Sequence, residues 1–169
     1  MRDAALLGTR LVVGSYLAVH GAQKLFGAFG GPGLEKTGAG FHRIGLRPGK
    51  HMAAAAGITE LGGGVLTAAG IADPAGPLAV AGAMSVAAAH NREGGLMAAR
   101  NGVELPVAYA TLALTLAAAG PGKYKLGPAL PGRLAALGAL AGGIGAGAII
   151  AKMITSKPAP AAEPSAAGQ

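Results

Sequence analysis

Eight side chains in this sequence can do chemistry from places where an ionisable group is costly. Tyr16, His20 and Lys24 recur every four residues, and Gln23 lies three beyond His20. On a helix this spacing sets a phenol, an imidazole, an amide and an ammonium along one stripe. Such a stripe can hold an anion or a quinone carbonyl and relay protons, whereas a lone Lys24 would only snorkel to an interface. Arg10 precedes the stripe within the same apolar run. Glu60 stands in the middle of another run, among Gly57, Gly63 and Gly64, with no cation on its own helix. A carboxylate there needs a partner or a proton, so it is expected against Arg10 or Lys24 of the first helix, with His20 beside them. The plainer reading is an ion pair that only holds two helices together. His90 closes a third run and Glu104 opens a fourth. Both places suit the helix dipole without any further role.

Other chemistry has weaker support. A site of His20, Glu60 and His90 would resemble a two-histidine, one-carboxylate metal set, but no HxxxH or ExxH spacing accompanies it, so no metal is expected. There is no phosphate-binding GxxxxGK[ST] and no dinucleotide fingerprint behind a strand. The chain carries no cofactor motif, although a bound quinone is compatible with the stripe. Cysteine is absent, which removes disulfides, thiolate ligands and thiol redox chemistry.

These residues must be positioned by apolar elements. The 169 residues are 51% hydrophobic and 12% charged, with mean hydropathy +0.48. A soluble domain usually carries about a quarter charged residues. Glycine fills 31 positions and alanine is commoner still, with no Gly-X-Y period. Small residues within long apolar runs suit helices that approach closely in a bilayer. Five runs are drawn over 3–26, 52–72, 74–91, 104–120 and 133–152. Each can cross a hydrocarbon layer of about 30 Å. None alternates with period two, so strands are not expected. The fold class is therefore all-α, a polytopic transmembrane bundle. The first run, interrupted by Arg10, His20 and Lys24, reads as a retained helix and not a cleaved signal.

Between the first two runs, Gly30-Gly31-Pro32-Gly33 breaks the helix, and 34–46 reads as a short amphipathic helix on the membrane surface or a solvated loop. The fifth run has no ionisable group between Arg133 and Lys152, and its Gly143–Gly147 spacing permits close helix contact. It is expected to pack, at the periphery or between protomers, and not to act. Residues 154–169 read as a disordered Pro/Ala-rich tail.

The net charge of +7 does not indicate nucleic acid, because the basic residues are scattered and only three Phe and three Tyr are available for stacking. It reports orientation and contact with anionic lipid instead. Lys24, Lys36, Arg43, Arg47, Lys50, Arg92, Arg100, Lys152 and Lys157 fall on one side, against Arg2, Lys123, Lys125 and Arg133 on the other. Positive-inside counting puts the first loop and the tail in the cytoplasm.

The run His20-Gly21-Ala22-Gln23-Lys24-Leu25-Phe26-Gly27, then Phe29-Gly30-Gly31-Pro32-Gly33, resembles the signature of the DoxX family of small bacterial membrane proteins. The likeness continues through Gly57-Ile58-Thr59-Glu60-Leu61-Gly62-Gly63-Gly64, His90, Glu104-Leu105-Pro106 and Gly120-Pro121-Gly122, over about residues 4–126. It implies a four-helix bundle in the bacterial cytoplasmic membrane, with site residues His20, Gln23, Lys24, Glu60, His90 and Glu104. It implies a link to quinol oxidase or thiosulfate:quinone chemistry, and for some members to oxidative-stress defence. The fifth run and the tail depart from that pattern, so the chain divides into a bundle over 1–126, an additional helix over 127–153 and the tail over 154–169. Three functions follow: a membrane subunit of a quinone- or sulfur-oxyanion-linked redox complex, a non-enzymatic scaffold for peripheral enzymes, or a small transporter. Whether the chain is itself catalytic stays open. Expected partners are the bilayer, soluble or membrane redox proteins, and further copies of the chain.

Overall fold

The computed structural model describes residues 1–155, so the expected tail lies almost wholly outside the described residues. The described residues are helical, with no strand among them. The helices are α1 (Arg2–Phe26), α2 (Gly33–Arg43), α3 (Gly49–Ala69), α4 (Ala75–Asn91), α5 (Glu104–Ala119) and α6 (Gly132–Thr155). Five of the six follow the apolar runs to within about three residues at each end, and α2 is the short amphipathic helix. Helix α1 stops where Gly27 turns left-handed (φ 70°) and its N–H donates to the Gln23 carbonyl over 3.2 Å. Helix α3 stops the same way at Gly70 (φ 64°).

The central contact is between α1 and α3, and it is made by glycines. A Cβ on Gly14 would lie 2.5 Å from the Gly64 carbonyl oxygen and 2.6 Å from Ala68 N. One on Gly21 would lie 2.6 Å from the Gly57 oxygen and 2.7 Å from Leu61 Cβ. Any side chain at these points would force the backbones apart. This close packing is how helices adhere where water offers no hydrophobic drive.

Around that pair, α4 and α5 complete a core of Val13, Leu17, Val80, Ala81, Met84, Ala113 and Leu116, each at most 8% exposed. The outer surface is also apolar: Ile58, Leu114, Leu137, Leu140 and Ile144 are 54–65% exposed. So many exposed large apolar side chains need a covering medium. Helices α3 and α6 (over Gly132–Lys152) are each long and apolar enough to cross a membrane, and α5 is apolar but shorter.

A strap over residues 120–131 carries the chain from α5 to α6 across one end of the bundle. Leu126 N donates to the Ala69 carbonyl (3.0 Å), Ala72 N to Pro128 (2.9 Å) and Leu130 N to Asp73 (2.7 Å). At the α6 terminus, Lys152 Nζ donates to the Arg47 carbonyl over 2.6 Å. Helix α6 therefore ends beside the α2–α3 corner, opposite the strap.

Candidate functional site

The register of α1 on α3 decides which cation meets Glu60. With Gly14 against Gly64 and Gly21 against Leu61, Glu60 stands level with about residue 20 of α1. Lys24 is then one turn away, whereas Arg10 is ten residues away, roughly 15 Å at about 1.5 Å per residue. Lys24 Nζ donates to Glu60 Oε2 over 2.5 Å, with side-chain exposures of 25% and 6%. The pair is short and charge-assisted, which compensates much of the burial of both groups.

Arg10, expected as a possible partner of Glu60, goes elsewhere. It is 2% exposed, and its guanidinium donates to the carbonyls of Pro121, of Tyr124 (2.6 Å) and of Ala68 (3.4 Å). It pins the strap and the end of α3 to α1. Asp73 lies near enough to feel the Arg10 and Lys125 charges. No residue pattern signals this contact, because the strap reads as an ordinary polar connector.

The ion pair opens onto a cavity of ≈ 830 Å³ between α3, α4 and α6. Lys24, Thr59, Glu60, Ser85, His90 and Asn91 supply its polar lining. Leu78, Val86, Leu130, Leu134 and Ile150 supply apolar wall. Small residues of α6, including Gly138, Gly142 and Ala146, complete it. The fifth apolar helix, expected only to pack, is thus a wall of the cavity. Thr59, Ser85 and Asn91 were not singled out by sequence; the available signal was a polar residue beside Glu60, inside an apolar run, and beside His90. Ser85 Oγ donates to the Ala81 carbonyl over 2.9 Å, leaving the oxygen's lone pairs available as acceptors.

The rest of the expected constellation does not converge on this cavity. Tyr16 is 57% exposed and its ring sits 6.4 Å from that of Tyr109 on α5. His20, though level with Glu60, is exposed on the outer side of α1. The stripe bends around the helix because a four-residue step advances about 40° beyond one turn. Gln23 is half-buried, with its Cβ against Gly31. Glu104 accepts from Ala98 N over 2.9 Å and fixes the connector before α5. Among the described residues, no three His, Asp or Glu side chains gather as a metal site, and His20, Glu60 and His90 do not form one.

The arrangement suits an amphiphile: the lining offers an ammonium, a carboxyl and an imidazole, and the remainder is predominantly apolar. A family model described as DoxX matches residues 5–91, which carry α1 to α4 and every polar residue of the cavity. No curated protein and no solved structure matches the chain.

Proposed function

The chain belongs to the DoxX family and is a membrane protein, and on that basis we propose that it is the quinone-binding membrane subunit of a redox complex. The observation that carries this reading is the cavity, mostly apolar in its lining and bearing the Lys24–Glu60 pair and His90. Lys24 donates to one quinone carbonyl oxygen and Glu60 exchanges a proton there, while His90, on α4 in the same lining, exchanges a proton at the other ring oxygen. Reduction of a quinone to its quinol takes two electrons and two protons. A partner protein supplies the electrons, and the protons reach the ring oxygens through these side chains. The chain lies in the bacterial cytoplasmic membrane, with α1, α3, α4, α5 and α6 as spans and the α2 end in the cytoplasm. Residues 1–126 form the family-like bundle, and 127–153 add the wall that closes the cavity.

Binding of a short-chain benzoquinone to detergent-purified protein tests the reading. Glu60→Gln keeps the shape and removes the charge, so affinity should fall about tenfold with helicity unchanged. Equal affinity of both proteins, or no saturable binding, would exclude it. Recovery of the same soluble enzymes by both, with no quinone bound to either, would favour a scaffold.

A further inference from the structure

A second cavity, of ≈ 710 Å³, lies at the corner of α2 and α3, and it differs from the first in being cationic. Arg47, Lys50, His42 and His51 line it, and Glu35 is the acid that faces it. Glu35 is engaged by Lys50 in an ion pair, which leaves Arg47 and two imidazoles in the lining beyond that neutralised pair. Two glycines build the corner. A Cβ on Gly38 would lie 2.8 Å from Lys50 Cα, and one on Gly49 would lie 2.7 Å from His42 N. Only glycine lets α2 lie this tightly on the start of α3. That contact sets the exposed side chains of His42, Arg47, Lys50 and His51 around one open depression.

Helix α2 adds an apolar side. Phe41 and Ile44 are half-buried and line the larger cavity, while Lys36, His42 and Arg43 are exposed. Such a helix lies along a membrane surface, at the depth of lipid headgroups. Cations that share one depression at that depth match a phosphate group: a guanidinium binds two phosphate oxygens in parallel, and an ammonium adds a point charge.

We infer that the α2–α3 corner is a phosphate-binding site, built around Arg47 and Lys50 with His42 and His51 as further donors. The phosphate can be carried by an anionic lipid headgroup or be free in solution. The full chain, delipidated in detergent, is titrated calorimetrically with short-chain phosphatidic acid, with short-chain phosphatidylcholine and with inorganic phosphate. Saturable binding of phosphatidic acid alone assigns the site to a headgroup, and binding of inorganic phosphate as well assigns it to soluble phosphate. Arg47→Gln/Lys50→Gln should weaken either about tenfold or more. Arg47→Gln alone, which leaves the Lys50–Glu35 pair in place, should shift affinity less and in the same direction. Lys36→Gln/Arg43→Gln removes equal charge outside the cavity and should leave affinity within about twofold. Equal losses in the two double variants would reduce the effect to general surface charge and overturn the site. So would phosphatidylcholine binding as tightly as phosphatidic acid, or neither phosphate probe binding.

Discussion

At the scale of single residues, of the two α1 cations that could have met Glu60, Lys24 does so and Arg10 does not. Arg10 and Lys24 both lie in an apolar run facing a carboxylate one helix away, and helical periodicity alone does not rank them. The ranking came from the glycine register of α1 on α3, a property of the pair. Removing one partner of the Lys24–Glu60 pair leaves a charge stranded, at a cost of about 3–5 kcal/mol. Glu60→Leu should therefore lower the unfolding temperature in detergent more than Glu60→Gln, and Glu60→Leu/Lys24→Met should recover much of the loss. A double variant as unstable as Glu60→Leu would show that packing, and not the stranded ammonium, sets the penalty. Asp73 gives a pH signature. Burial pushes its carboxyl up from the ordinary range, and the charges of Arg10 and Lys125 pull it only part of the way back. The folded state therefore holds this proton more tightly than the unfolded state. The resulting stability is present below the ordinary carboxylate value of about 3.9 and is lost as pH rises through the elevated folded one. Asp73→Asn should remove that decline, so the difference in unfolding temperature between variant and parent should widen in the variant's favour from acid to neutral pH. A constant difference would mean that burial does not perturb Asp73.

At the scale of elements, what composition shows is where helices run, and what it hides is which face each one turns inward. The α6 run was legible as a span from its length and lack of charge, yet its neighbour was not, because Gly and Ala are compatible with lipid, protein or empty space. In the structure Gly138, Gly142 and Ala146 stand on the cavity side, while Leu137, Leu140 and Ile144 are 62–65% exposed. The small face leaves the cavity open. Gly142→Phe should fill it and weaken binding of a long-chain quinone about tenfold or more, with helicity and monodispersity kept. Unchanged affinity would place the ligand elsewhere. The strap was equally hidden. It reads as Gly/Pro-rich connector, but Arg10 spends its guanidinium on two of the strap's carbonyls and one of α3. Arg10→Met should free the strap, raising amide exchange over residues 121–130 while exchange in α1 and α3 stays slow. Exchange rising through the whole bundle would instead make Arg10 a determinant of the global fold.

At the scale of the whole molecule, the two ends differ in chemistry. The strap end holds one buried guanidinium, Arg10, and one buried carboxyl, Asp73, with Lys123, Tyr124 and Lys125 exposed beside them. The other end gathers the α2–α3 corner, Lys24 and His90 in the last turns of α1 and α4, and Lys152 bonded to the Arg47 carbonyl. The placement of Lys152 beside Arg47 sets the α6 terminus and the first loop at one end, the arrangement that an odd number of spans requires. Basic residues concentrate at this end, so it should face the cytoplasm. The parent chain has no cysteine, so single cysteines can be introduced into an otherwise unlabelled protein. Thr37→Cys on α2 should resist a membrane-impermeant maleimide in intact cells and react after lysis. Tyr124→Cys, in the strap and 48% exposed in the parent, should react in intact cells. Reaction at both positions from outside, or at neither, would contradict an odd number of spans between them, the number that α3, α4 and α5 supply. Reaction at Thr37→Cys alone would reverse the orientation, putting the phosphate corner, Lys24 and His90 on the outer face, where a cytoplasmic electron donor could not reach them.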